Sequence, residues 1–92
     1  EGMADCFRAF GWNAVVIDGT KMADIDKTLA ALPEVTLNGK PNAIICSTTK
    51  GQGVPFMMER PCAWHIGGFD DDKLEEAVKG IKAYTAERLA EV

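Results

Sequence analysis

Two places in this sequence hold residues whose types and spacing suit chemistry. Thr48-Thr49-Lys50-Gly51-Gln52-Gly53 combines hydroxyls, a cation and two glycines, a set that can bring backbone N–H groups and an ammonium against a phosphate. It is not a Walker loop, because the GxxxxGK[ST] spacing is absent. Gly-rich turns after strands are common, so composition alone leaves an ordinary turn open. His65, the single histidine, stands between Trp64 and Ile66. It reads as a packed or surface side chain, or as a group that faces a cleft and donates to a phosphate or a sugar hydroxyl. Phe56, Met57 and Met58 fit apolar space or an interface better than a cofactor box, since Met side chains adapt to irregular contacts.

The elements that must position these residues alternate helix and strand. Met3, Phe7 and Phe10 share a helical face, and Gly11 stops that helix. Ala14-Val15-Val16-Ile17 is a short apolar run bounded by Gly11 and Asp18-Gly19, which predicts a strand buried on both faces, as in parallel sheets. Met22, Ile25, Leu29 and Leu32 recur at helical spacing from an N-cap at Thr20, and Pro33 ends the pattern. Asn38-Gly39-Lys40-Pro41 marks a turn, and Ala43-Ile44-Ile45-Cys46 predicts a second strand. The result is a βαβ unit with parallel strands and a right-handed crossover.

Ligands in open parallel sheets sit beyond the carboxyl ends of the strands, where Thr48–Gly68 begins. That segment holds four of the nine glycines and two of the four prolines without a sustained period, which predicts a long ordered loop of the kind usually tied to function. Asp70, Asp71 and Asp72 then start a helix with Leu74, Val78 and Ile81 on one face and Asp72 and Glu75 spaced as a capping box. The acidic run is thus a helix start. There are no internal repeats or low-complexity segments.

The 92 residues suffice for one small domain or part of a larger one, with a large share of the surface left wet. A composition 47% hydrophobic and 26% charged is that of ordinary globular proteins. Ten scattered Lys and Arg residues and a net charge of −4 give no basic patch for nucleic acid. No apolar stretch approaches a membrane span and no basic-then-apolar leader is visible. Cys6, Cys46 and Cys62 form neither a CxxC pair nor an even set, so small buried residues in a reducing cytoplasm are expected. The chain opens inside a helical stripe without an initiator Met, as a fragment, a processed chain or a trimmed piece would.

One succession of motifs runs through nearly the whole chain: Phe7-Arg8-Ala9-Phe10-Gly11-Trp12-Asn13, Val16-Ile17-Asp18-Gly19, Gly39-Lys40-Pro41, Thr48-Thr49-Lys50-Gly51-Gln52-Gly53-Val54, and Ala63-Trp64-His65. This order resembles the transketolase family, in particular the N-terminal subunit of transketolases made as two chains. The Lys-Gly-x-Gly with a later Trp-His is its most specific part. The resemblance implies that residues 1–92 form the C-terminal segment of a diphosphate-binding domain. That domain is an α/β, three-layer, parallel-sheet thiamine-diphosphate-binding fold, represented here by helix, strand, helix, strand, long loop and helix. It implies Lys50 and Gly51 near thiamine diphosphate, and His65 on both the cofactor diphosphate and the sugar, as a catalytic group.

The family transfers a two-carbon ketol unit from a ketose phosphate to an aldose phosphate; the cofactor supplies the carbanion chemistry and protein groups orient substrate and move protons. Ile66 stands where the family usually has Gly. The Gly-Asp-Gly segment and later Asn that hold the metal, Mg²⁺ or Ca²⁺, are absent from these residues, as is the glutamate that activates the aminopyrimidine. No metal ligand is therefore assigned here. Partner chains carrying the metal-binding and pyrimidine-binding parts are expected, in a hetero-oligomer with interfaces through Trp12, Phe56, Met57 and Phe69. A non-catalytic assembly module derived from this domain, or part of another thiamine-diphosphate enzyme, is the alternative; Trp64-His65 favours the transketolase branch.

Overall fold

The computed structural model describes residues 2–91, which divide between Thr48 and Thr49 into two compact units. The first unit begins with helix α1, Gly2–Ala9, which packs Ala4 fully away from solvent while Met3 and Phe10 stay exposed. The expected face of Met3, Phe7 and Phe10 is therefore largely open, and the residue buried is Ala4, which lies outside that stripe. Gly11 adopts φ +88°, the left-handed turn that lets the Trp12 N–H donate to the Phe7 carbonyl at 3.0 Å. Phe7 and Trp12 then meet edge to face, centroids 5.2 Å apart.

Strand β1, Asn13–Asp18, pairs in parallel with β2, Asn42–Ser47, in register from Asn13 opposite Asn42 to Asp18 opposite Ser47. The helix between them, α2, spans Met22–Val35, so the expected parallel βαβ unit is present, and the protein is α/β. Asn13 ties the start of the sheet: its amide donates to Asn38 Oδ1 at 3.0 Å and Asn42 Oδ1 at 3.1 Å, while Asn38 Nδ2 donates back to Asn13 Oδ1 at 2.7 Å.

Several expectations are corrected. Thr20 does not cap α2; Asp18 Oδ1 accepts from both the Thr20 N–H (2.9 Å) and its hydroxyl (2.6 Å), which holds Thr20 in the turn, and Lys21 occupies the N-cap position. Pro33 lies inside α2 instead of ending it. A proline this close to the end removes one helical bond, and the Thr36 hydroxyl donates to the Leu32 carbonyl to close the last turn. A 3₁₀ turn over Thr36–Asn38 follows, stopped by Gly39 at φ +76°. Nor is β1 buried on both faces: Val15 is 40% exposed and its neighbours are half-buried. Two strands are too narrow a sheet for the helices beside it to cover, and an open apolar trough of about 600 Å³ runs along β1 and α2, lined by Val15, Ile17, Thr28, Leu32 and Ile44 among others.

The second unit holds a short helix α3, Pro55–Glu59, a 3₁₀ turn Pro61–Trp64, and the long helix α4, Asp71–Ala90. Thr48–Gly68 is therefore not an unbroken loop: each proline, at the first position of a helical turn, starts one. The cap of α4 is Asp70, whose carboxylate accepts from the Lys73 N–H at 2.9 Å, two residues before the expected Asp72. The third helical residue is then Lys73, so the reciprocal carboxylate of a capping box is missing. Leu74, Val78 and Ile81 each keep over 40% of their surface exposed, and Ala77 is the buried residue of α4. Cys6, Cys46 and Cys62 are all exposed, against the expectation of burial, because the described residues pack against only part of the elements that carry them. No helix among the described residues is long and apolar enough to cross a membrane.

Candidate functional site

Lys50 stands on a pair of interlocked turns. The Gln52 N–H donates to the Thr49 carbonyl at 3.1 Å and the Val54 N–H to the Gly51 carbonyl at 3.0 Å. Each turn has a glycine at its third position with positive φ, Gly51 at +78° and Gly53 at +93°, which is the signature of type II turns. Only glycine adopts this without strain. Gly51 has a second reason: a Cβ there would stand 2.7 Å from Met57 Cβ.

His65 is set by aromatic packing. It caps the 3₁₀ turn Pro61–Trp64, and the Trp64 ring makes edge contacts with Phe56 (5.1 Å) and Phe69 (6.3 Å). The Lys73 ammonium lies 4.5 Å from the Phe56 ring centroid, a cation–π contact from α4. Phe56 is thus engaged within the unit.

The two arms meet: Lys50 Nζ and His65 Nδ1 are 2.8 Å apart. An ammonium has donors only, so Nδ1 is the acceptor and the neutral ring carries its proton on Nε2. One N–H of Lys50 is used, two remain, and both side chains are exposed. The pair therefore offers an ammonium at one edge of the imidazole and an N–H at the other, donors suited to the spread oxygens of a diphosphate.

Helix α4 backs the loop as well. Gln52 Nε2 donates to Tyr84 Oη at 2.8 Å. Gly53 and Val54 are buried, and a Cβ on Gly80 would stand 2.9 Å from the Gly53 carbonyl oxygen, so α4 crosses the loop backbone to backbone. A smaller hollow of about 340 Å³ beside this crossing is lined by Gln52, Met58, Ala83, Tyr84 and Glu87 among others. Motif and resemblance single out Lys50, Gly51 and His65 but miss Gln52, Gly80 and Tyr84. A glycine in the middle of a helical pattern was the signal for the crossing. Among the described residues, no three His, Cys, Asp or Glu side chains are grouped to hold a metal ion.

The parallel βαβ unit defines an α/β protein, and comparison with known proteins narrows the class. The chain is 38% identical over 81 residues to an apulose-4-phosphate transketolase subunit of Phocaeicola vulgatus, covering 88% of this chain and 28% of that protein. A protein of the same name from Actinobacillus succinogenes is 34% identical over 76 residues, 83% of this chain and 26% of the relative. Transketolase-like protein 2 of Homo sapiens is 31% identical over 80 residues, 86% of this chain and 12% of the relative. The chain belongs to the transketolase family, and it spans about a quarter of the length of the two bacterial relatives. No family model and no solved structure matches it.

Proposed function

We propose that this chain is one part of a transketolase-type transferase that moves a two-carbon ketol unit between sugar phosphates with thiamine diphosphate, the active site being completed by partner chains. The observation that carries the reading is the 2.8 Å contact of Lys50 Nζ with His65 Nδ1. It presents a cation and an N–H donor together on an exposed rim, which fits the oxygens of a diphosphate. Lys50 binds the diphosphate by charge-assisted hydrogen bonds. Gly51, without a side chain, lets the turn come close to it. His65 presents its single Nε2–H to the diphosphate and a sugar hydroxyl, and as the one imidazole of the sequence it is the group assigned to act on the sugar. Thiamine diphosphate, when bound, supplies the carbanion chemistry.

Mg²⁺ or Ca²⁺, and the carboxylate that acts on the aminopyrimidine, come from residues outside these 92. Completion by other chains is supported by the thin interior: among the described residues the buried apolar ones are Ala4, Val54 and Ala77, far short of the several large side chains, each contributing roughly 1.5–3 kcal/mol, that a self-sufficient core uses. Two of the relatives are named as subunits of a transketolase, which also fits an assembly. A cytoplasmic setting is proposed from the free thiols.

Native mass spectrometry of the protein purified from its source, with and without thiamine diphosphate and Mg²⁺, tests this. The expected result is a complex that retains the cofactor and includes a chain bearing Gly-Asp-Gly. A lone 9.9 kDa species that takes up no cofactor would overturn it in favour of a non-catalytic module.

A further inference from the structure

We infer that Tyr84 is a positioning residue for the Lys50–His65 pair, acting through Gln52. The two turns of the loop share Gly51 and Gln52, with Lys50 second in the first turn and Gln52 second in the next. A roll of the second turn therefore carries Lys50 with it. Two contacts oppose that roll. Gly53 packs against Ile81 and the Tyr84 ring, where an added Cβ would come 3.0 Å from Ile81 Cδ1 and 3.3 Å from Tyr84 Cδ1, and Gln52 Nε2 donates to Tyr84 Oη at 2.8 Å. The first contact is apolar and a phenylalanine would keep it. The second is directional and needs the hydroxyl, so the hydroxyl fixes the rotation of the turn while the ring fixes its depth. Tyr84 is half-buried, which shields this bond from competition with water.

The consequence for ligand binding rests on the reading of Lys50 and His65 as diphosphate-facing residues; the geometric link does not. The experiment uses the full chain as Tyr84→Phe, Gln52→Ala, Lys50→Met and the Tyr84→Phe/Lys50→Met double variant. The ¹⁵N resonance of His65 Nδ1 is recorded for each, and inorganic pyrophosphate is titrated into each. Lys50→Met moves the Nδ1 resonance by removing its donor, and Tyr84→Phe and Gln52→Ala are expected to move it in the same direction. Pyrophosphate should bind about fivefold more weakly to Tyr84→Phe, the effect of one lost neutral hydrogen bond. In the Lys50→Met background the same change should have no further effect on binding. An unmoved Nδ1 resonance in Tyr84→Phe and Gln52→Ala would overturn the inference, as would an equal loss of affinity in both backgrounds. Failure of the wild-type chain to bind pyrophosphate would count against the proposed function instead, and the resonance would still decide the role of Tyr84.

Discussion

Gly80 and Gly53 approach so closely that a methyl group on the first would meet the carbonyl oxygen of the second at 2.9 Å and Pro55 Cδ at the same distance. In an open helix the change of Gly80 to Ala would stabilise by up to about 1 kcal/mol through helix propensity. Here the overpacking cost of about 1–3 kcal/mol opposes it. Gly80→Ala is expected to lower the urea midpoint, and a rise would show that α4 can retreat from the loop at no cost.

Lys50 and His65 should behave as a coupled pair. Lys50→Met is expected to weaken diphosphate binding by about 1–3 kcal/mol, as for a lost charge-assisted hydrogen bond. His65→Ala should lower turnover of the assembled enzyme strongly while leaving the thermal unfolding midpoint nearly unchanged. The losses in cofactor affinity should add to less than their sum in the double variant, because one contact joins the two residues. Strict additivity in a calorimetric titration would mean that the two act separately.

Asp70 and Asp72 differ in role although both are acidic and adjacent to the start of α4. Asp70 accepts from the Lys73 N–H, so Asp70→Ala should cost about 1 kcal/mol in denaturant unfolding. Asp72, inside the first turn, should contribute only about 0.3–1 kcal/mol through the helix dipole. An Asp72→Ala variant that loses more stability than Asp70→Ala would return the cap to the later residue.

Asn13 closes the mouth of the sheet with amide bonds to Asn38 and Asn42. Asn13→Ala leaves amide groups of both without these partners, and a loss of about 1–2 kcal/mol in unfolding free energy is expected. Adding Asn38→Ala then removes only the bond from the Lys40 N–H to Asn38 Oδ1, so it should cost less in the Asn13→Ala background than in the wild-type chain. An equal cost in both backgrounds would mean that the Asn13–Asn38 bonds contribute nothing.

The strands and the parallel βαβ unit were legible because Ala14–Ile17 and Ala43–Cys46 are short apolar runs between clear turn residues, a local signal. The helical turn at Pro55–Glu59 was not, since a single turn has too few residues to show a period and the flanking glycines and proline dominate its composition. Pro33 misled for a related reason: its cost falls on one helical bond near an end, and Thr36 closes the turn beyond it. The exposure of Leu74, Val78 and Ile81 was hidden because an apolar stripe does not say which face has a neighbour, and α4 meets the loop through Gly80, Tyr84 and only the tip of Ile81. For the site, family resemblance supplied Lys50, Gly51 and His65. Their spacing alone carries no distance, since the contact depends on two glycine turns and a Trp64 wedge.

Both arms of the pair lean on α4, one at Lys73 through Phe56 and the other at Tyr84 through Gln52. These positions are eleven residues apart on one continuous helix, roughly 16 Å at 1.5 Å per residue. The helix thus acts as a ruler whose two marks hold the ammonium and the imidazole in reach of one another. Opening of its middle turns would release both marks together, so amide hydrogen exchange in α4 is expected to rise and fall with the opening of the Lys50–His65 contact.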